Sequence, residues 1–550
     1  MKRISAVCIA LIMMFSVLGN IGSESSQATK KMKLNKVKVT VAVGRTAKLR
    51  VKQKGSARVT FKSTKKSVAR VTKTGRVKGR KQGTAKVIAI VKGNRGTKKL
   101  SCKVTVVKKV TKIQALKDGA EVKSISLMKG TSVVLKASKK PASSKDTLVW
   151  SSSDKTIASV SKKGVVKGVS AGSAKIYVKA KATGKRVAVR VNVTRPPLSG
   201  SLKEVYAKYF DIGCALNVRQ FMDSYTASLV QGQFSTMTME NEMKPDAILN
   251  STAWKNTVAK GDENSLQIDT TALEKVLANA QKYGMKLRGH TLVWHSQTPY
   301  WIFYKGFEQK NGLVSADVMN ARMESYIKQV MEYCQTKYPN QVVAWDVVNE
   351  AMSDGTGDAD GYRNTGSLWY SVYKSGAFVE KAFEYANKYR AEGVKLFYND
   401  YNEYNPIKME RIYKMAKALY EKGYLDGIGM QSHYSMDSPT VSLVETAIKK
   451  YASIGEKIEI QLTELDIHNT DNSAKGNNAL TAKYKELFEM LVRLDKNNEA
   501  NITNVTFWGL SDSDTWLTNF KGERSYPLLF NGDLTSKGCF DAIISVGKQN

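Results

Sequence analysis

Acidic side chains are almost missing from the first third of this 550-residue chain. Residues 30–200 hold 47 Lys and Arg against 4 Asp and Glu, whereas residues 201–550 carry a net charge of −5. The whole-chain balance of +39 therefore describes neither part. No nucleic-acid motif accompanies the basic residues, so the partition argues against a nucleic-acid partner. Histidine is scarce, at four residues, and the absence of HExxH or clustered His/Cys spacing argues against a metal centre. No glycine-rich phosphate loop follows the first apolar strand of the C-terminal part, and no cofactor is implied. Five cysteines are too few for a disulfide framework; the apolar neighbours of Cys102, Cys214, Cys334 and Cys539 predict buried free thiols. Beyond the N-terminus there is no run of 18 apolar residues, so no helical transmembrane anchor is expected and the mature chain is expected to be soluble.

What is present begins with Lys2-Arg3, an apolar stretch Ile4–Leu18, and small and polar residues through Ala28. This reads as a secretory signal peptide over 1–28, which predicts a secreted protein and removes Cys8. Next comes an internal repeat. FKSTKKSVARVTKTGRVKGRKQGTAKV from Phe61 returns as WSSSDKTIASVSKKGVVKGVSAGSAKI from Trp150, 89 residues later, with Gly75/Gly164, Gly79/Gly168 and Gly83/Gly172 in register. Short alternating strands punctuated by glycine at this repeat length predict two small all-β sandwiches over 33–107 and 120–194. The pattern resembles the bacterial immunoglobulin-like group 2 modules. A linker over 195–200, containing Arg195-Pro196-Pro197, leads into residues 201–550.

That last segment contains eight apolar strand candidates: 210–217, 234–241, 286–295, 342–350, 394–400, 427–433, 458–466 and 502–509, most of them separated by amphipathic stretches of helix length. The alternation predicts a parallel sheet covered by helices, and eight units over about 340 residues fit a closed (β/α)₈ TIM barrel. Nearly every strand starts apolar and finishes polar or aromatic, at Asn217, Glu240-Asn241, His290 with Trp294-His295, Asn349-Glu350, Asn399-Asp400, Gln431-His433, Glu464-Asp466 and Trp508. Barrel active sites collect at those strand ends. Two carboxylates there, Glu350 and Glu464, are the minimum equipment for breaking a glycosidic bond. Either glutamate alone reads more readily as an ordinary strand end; the constellation reverses that reading.

Seven segments in order, MENEMK (239–244), GHTLVWHSQTPYW (289–301), WDVVNEA (345–351), YNDYN (398–402), GIGMQSHY (427–434), TELDI (463–467) and the WG…DTW pattern (508–516), resemble the signature set of glycoside hydrolase family 10, the endo-β-1,4-xylanases. The resemblance covers about 200–545 and implies a retaining mechanism, with Glu350 as general acid/base and Glu464 as nucleophile. It also implies that Asn349 bonds the 2-hydroxyl of the reacting sugar, that His433 bonds the nucleophile with Asp466 behind it, and that Gln431 lies near the acid/base. Glu240, Asn241, Lys244, His290, Trp294 and Gln297 would bind glycone sugars, Trp508 and Trp516 would roof them, and Tyr401 would stack near the first aglycone sugar. Pro245 stands where the family usually has an aromatic, which touches the distal glycone subsite. Trp345 and Trp369 read as packing residues, and His468 as a loop residue.

The implied partners are xylan and xylo-oligosaccharides. Two alternatives remain at this level: a barrel endo-β-glucanase acting on mixed-linkage glucan or cellulose, and a non-catalytic wall-binding protein with a decayed barrel. The sustained positive field of residues 30–200 should attract an anionic cell-wall polymer or an acidic polysaccharide; the alternative is that these charges only solvate the sandwich faces.

Overall fold

A computed structural model describes residues 31–94, 96–355 and 360–549, so the expected signal segment 1–28 lies outside the described residues. The chain forms two compact units, one ending at Thr194 and the other spanning Arg195–Asn550.

The first unit contains two sandwiches of one design. In the first, a sheet with the spatial order Lys38–Ala42, Gly96–Val107, Gly83–Gly93, Arg58–Ser63 accompanies a three-stranded sheet of Thr46–Lys48, Arg76–Gly79 and Ala69–Val71. The second repeats the order with Ser124–Met128, Arg186–Thr194, Gly172–Ala180, Leu148–Ser152 and with Ser132–Val134, Val165–Gly168, Ala158–Val160. Period-two alternation sends Val87, Ala89, Val104 and Val106 into the first core while Lys86 and Lys103 face out. The repeated glycines have one cause in both copies. Gly75 and Gly164 adopt φ of +82° and +85°, and a Cβ there would come within 2.5 Å of the Leu49 carbonyl and 2.2 Å of the Leu135 carbonyl. The aromatic that opens each repeat, Phe61 or Trp150, covers that glycine.

The second sandwich begins earlier than the expected 120. Lys112–Lys117 pairs antiparallel with Lys136–Lys140 and delivers Ile113 and Ala115 to the second core, because alternation gives this strand an apolar face of its own. One repeat offset earlier, the counterpart of Lys112–Lys117 is 23–28, which lies outside the described residues; the described part of the first copy opens with the two-residue pair Lys33–Leu34 and Val51–Lys52.

In the second unit eight strands close into a parallel barrel: β1 (Asp211–Leu216), β2 (Thr236–Met239), β3 (Lys286–Trp294), β4 (Val342–Asn349), β5 (Lys395–Asp400), β6 (Gly427–Met430), β7 (Glu459–His468) and β8 (Ile502–Phe507). β8 pairs with β1 from Asp211↔Asn504 to Cys214↔Phe507, which completes the ring. Each strand is buried along most of its length, as expected for parallel strands with helices outside and side chains filling the interior. Gly289 on β3 lies directly against Trp345 of β4; a Cβ would sit 2.2 Å from the indole, so the packing role of Trp345 requires glycine opposite it. The sixth strand stops at Met430 and not at His433. Ser432 takes φ +61°, which ends the ladder with β5 and hands His433–Ser435 to β7 as a separate short strand. Residues 195–200, expected to be a linker, are fastened to the barrel: Arg195 Nε donates to the Asp533 carbonyl at 2.6 Å and its guanidinium lies 3.9 Å from the Tyr225 ring, while Ser199 Oγ donates to Asp541 at 2.6 Å. All four described cysteines are buried and unpaired.

Candidate active site

A cleft of about 640 Å³ opens at the C-terminal ends of the strands. It brings together Glu240 and Asn241 after β2, Lys244 one turn later, His290 and Trp294 on β3, Gln297 just beyond, Asn349 and Glu350 at the end of β4, Tyr401 after β5, Gln431 after β6, His433, Glu464 on β7, Trp508 after β8, and Trp516. Asp466 does not line the cleft; it sits behind His433. Every residue to which the resemblance gives a catalytic or sugar-binding role is therefore in the cleft or one hydrogen bond from it.

The two strand-end glutamates are held differently. Glu464 is buried, accepts from Asn399 Nδ2 at 2.8 Å and lies 3.2 Å from His433 Nε2; the other ring nitrogen of His433 lies 3.0 Å from Asp466 Oδ1. Trp516 Nε1 donates to the second oxygen of Asp466 at 2.9 Å, which fixes this orienting carboxylate. Burial alone would raise Glu464, but the hydrogen bond from His433, the charges of His290 and His433, and the Asn399 contact hold its carboxyl below the usual range. Burial likewise opposes the imidazolium of His433, and Asp466 and Glu464 outweigh it, lifting the ring to about 10. Glu464 is thus an ionised carboxylate beside a cation at neutral pH.

Glu350 is only partly buried and accepts from Gln431 Nε2 at 2.9 Å. Its backbone stands at φ +56°, a left-handed conformation uncommon for a residue with a side chain. Two bonds hold it there: its N–H donates to the Asn399 carbonyl at 2.9 Å, and Arg363 Nε donates to its own carbonyl at 3.0 Å. The Asn349 amide is wedged between Asn399 at 2.9 Å, Gln431 at 3.2 Å and Trp294 Nε1 at 3.3 Å, so one network of amides joins the two carboxylates.

A second polar cluster occupies one end of the cleft. Lys244 Nζ donates to Gln297 Oε1 at 2.8 Å and Asn241 Oδ1 at 3.3 Å and lies 5.0 Å from the Trp294 ring. Burial lowers its ammonium pKa despite the carboxylates around it. Burial also pushes Glu240 up to about 7, with Asp514 and Glu242 adding repulsion. His290 is anchored through Nδ1, 3.0 Å from Asp346 Oδ2; Asp346 is also paired with Arg288. The roof is aromatic: the His433 ring meets Trp516 at 5.0 Å, and His290 meets Trp508 at 5.5 Å, both edge-on. Amides and carboxylates below aromatic faces suit a sugar, whose ring has apolar faces and a polar rim.

Sequence reading missed several participants. Arg363, in the long loop after β4, supports Glu350 and also donates to Tyr401 Oη at 2.8 Å. Asn399 was visible as a strand end but not as the donor shared by Glu464 and Asn349. Asn402, in the turn after β5, and Phe520 and Lys521, on the short helix Leu517–Lys521, also line the cleft, in positions that strand periodicity does not mark. The residues read as structural behave so. Trp369 is buried and donates to the Trp294 carbonyl at 3.0 Å; His468, expected in a loop, is instead the last residue of β7, paired with Ser435 and 2.9 Å from Ser525 Oγ. His295, on the same strand end as Trp294, does not line the cleft; burial lowers it to about 4.

A family model for glycosyl hydrolase family 10 matches residues 201–546, and one for the bacterial Ig-like domain (group 2) matches 28–104 and 121–191. Similar curated proteins include endo-1,4-beta-xylanase B of Butyrivibrio fibrisolvens, 39% identical over 345 residues that make up 62% of this chain and 53% of that protein. Endo-1,4-beta-xylanase Y of Acetivibrio thermocellus is 38% identical over 362 residues, 64% of this chain and 32% of that protein. The chain thus spans about half and about a third of the lengths of these relatives. Among solved structures, the CBM22-1 and GH10 modules of endo-1,4-beta-D-xylanase 10B from Clostridium thermocellum, complexed with xylohexaose, match with a TM-score of 0.58 and 27% identity over 89% of this chain and 93% of that one.

Proposed function

The chain belongs to glycosyl hydrolase family 10, and from that premise we propose that it is an endo-1,4-β-xylanase that cleaves internal bonds of xylan with retention at the anomeric carbon. In the first step a Glu464 oxygen attacks the anomeric carbon while Glu350 gives its proton to the departing glycosidic oxygen. In the second, water attacks the glycosyl ester, Glu350 takes the water's proton, and Glu464 leaves as a carboxylate. The observation that carries this reading is the asymmetry of the pair. Glu464 is buried against His433 and Asn399 and held below the usual carboxylate range, as a nucleophile requires, while Glu350 sits partly open at the cleft with the Gln431 amide as its nearest donor. Esterification removes the Glu464 charge, which eases deprotonation of a neighbouring acid for the second step.

Pentose is favoured over hexose by Gln297 and Trp508. Gln297 is locked by Lys244 and Trp508 is mostly buried, so neither yields easily to a hydroxymethyl group. Reducing-sugar release from xylan against barley β-glucan by the purified chain tests the assignment. Equal rates on both would favour the glucanase, and no release from either the decayed barrel.

The same proposal extends to the remaining parts. Residues 1–28 act as an export signal, the chain works outside the cell, and the sandwiches serve as an electrostatic anchor for an anionic wall polymer or acidic polysaccharide. The near absence of carboxylates from residues 30–200 supports the last point.

A further inference from the structure

A second groove, of about 590 Å³, lies on the barrel outside the cleft. Its walls come from two segments that have just left the cleft. One follows Lys244 and contributes Leu249 and Trp254; the other follows Gln297 and contributes Pro299, Tyr300 and Phe307. None of the cleft-lining residues is shared.

Trp254 is 37% exposed and Tyr300 59% exposed, and Val258, one helical turn beyond Trp254 on Ser251–Lys260, is 44% exposed. Trp254 and Val258 are large apolar groups left in water on a helix whose buried residues are Ala253 and Thr257, and Tyr300 adds a third from the other wall. The floor is rigid: Trp301 is buried, donates through Nε1 to the Leu249 carbonyl at 3.3 Å and meets Phe307 edge-on at 5.7 Å. The rim is polar and close to neutral, with Glu308 and Lys310 paired to each other and Gln309 between them. Exposed aromatic faces over a fixed floor with a short polar rim repeat the chemistry of the cleft but lack its pair of strand-end glutamates.

We propose that this groove is a non-catalytic binding site for the neutral backbone of a β-1,4-linked pyranose polymer, namely a second stretch of xylan. The choice of ligand rests on the activity proposed above. Xylan fits better than an acidic polymer because the only ion pair on the rim is self-neutralised, and better than a bare apolar partner because amide and charged groups border the aromatics. Continuity of both walls with the cleft means that a polymer held here stays close to the carboxylates, which raises its effective concentration there.

The test uses the full chain in 0.5 M salt, which suppresses the basic modules, with insoluble neutral xylan and a soluble aryl xylobioside. In Trp254→Ala/Tyr300→Ala, adsorption to insoluble xylan should fall at least fivefold and hydrolysis of that solid should fall with it, while kcat/KM on the aryl xylobioside stays within twofold. Tyr300→Ala alone, at an exposed site, should give a smaller loss in the same direction and guards against misfolding of the double variant. Unchanged adsorption would overturn the proposal. So would a parallel loss on the aryl substrate, which would make the groove part of the cleft, or a wild-type dimer in light scattering that the double variant converts to monomer, which would make it an interface between copies. A wild type that binds insoluble xylan through these aromatics but hydrolyses neither substrate would instead defeat the activity and leave the groove standing.

Discussion

The two units handle charge in opposite ways. In the barrel most buried cations are matched with carboxylates, Arg288 with Asp346, Lys408 with Asp400 at 2.8 Å, Lys537 with Asp512 at 3.0 Å, and His433 between Asp466 and Glu464, whereas Lys244 in the cleft is held by amides. In the first sandwich such matching is impossible, since no Asp or Glu occurs between Glu24 and Asp118. Its outer sheet face instead sets Lys38 opposite Lys103 and Lys103 opposite Lys86 on adjacent strands; the second sandwich sets Arg190 opposite Lys175. Directly opposed like charges destabilise a sheet by tenths of a kcal/mol up to about 1 kcal/mol per pair. The barrel uses compensated charge to hold carboxylates in chosen states, whereas the sandwiches tolerate uncompensated charge and leave it facing solvent. Chemistry is expected only where compensation exists, and adsorption only where it does not.

The sharpest break between the units is catalytic. Glu464→Ala should lower turnover on xylan by about 10⁵ to 10⁶, the scale seen when a covalent nucleophile is removed. Glu350→Ala should lose about 10² to 10⁴ on xylan but retain rapid glycosylation with a nitrophenyl xylobioside, whose leaving group needs no proton, and azide should restore turnover. Pre-steady-state and steady-state kinetics on both substrates check this. Equal losses on the nitrophenyl substrate, without azide rescue, would count against the roles. In wild type, proton NMR of early product should show the β-anomer first; an initial α-anomer would make Glu464 a base for direct attack by water.

Adsorption should divide the other way. Deleting residues 30–194 is expected to leave turnover on soluble xylan within about twofold, because every cleft residue lies at or beyond Glu240 and residues 195–200 stay fastened to the barrel. The intact chain should bind a polyanionic cell-wall fraction at 0.05 M salt and release it by 0.5 M, as the screening length drops from about 14 Å to about 4 Å. The deletion should abolish that binding. Salt-insensitive binding, or binding that survives the deletion, would show that uncompensated charge is not what the sandwiches contribute.

How legible these regions were in the sequence follows from the range of the interactions involved. β1 to β8 were readable because parallel buried strands are local apolar runs, and their polar ends marked the cleft because such a residue terminates each run. Glu350 and Glu464 stood out for that reason. The support of Glu350 was not readable: Arg363 reaches it from a loop, and the left-handed backbone that aims it has no signature in WDVVNEA. His433 was assigned to the wrong strand because the break at Ser432 depends on one dihedral angle. The start of the second sandwich at Lys112 is hidden because the repeat that reveals the module runs from Phe61 and Trp150, well inside each copy, and carries no signal for a strand ahead of it. Trp254 gave no warning either, since an aromatic on an amphipathic helix reads as core until its exposure is known.

The smallest expected effect separates the units by their response to pH. Glu403 is fully buried beneath the cleft, accepts from Tyr434 Oη at 2.9 Å, and has no partner for Oε2. Burial pushes its carboxyl up to about 7, against the partial relief of its hydrogen bonds and the charges of His433 and Lys408. A carboxyl raised in the folded state binds more protons than in the unfolded chain, so its contribution to stability is complete below about 4.5 and is lost as pH climbs through about 7. Glu403→Gln keeps the acceptor for Tyr434 and removes the titration. The variant should match wild type near pH 4.5 and exceed it by pH 8, with an upper limit of about 3 kcal/mol set by the size of the shift. The first sandwich has no carboxylate or histidine between residues 25 and 117, so its own unfolding transition should be the same in both proteins and flat from pH 4.5 to 8. Thermal unfolding across that range, followed by barrel tryptophan fluorescence and by hydrogen exchange in residues 33–107, checks both halves. A sandwich transition that moves with pH, or a barrel transition in which the variant and wild type stay parallel, would break the contrast between compensated and uncompensated charge.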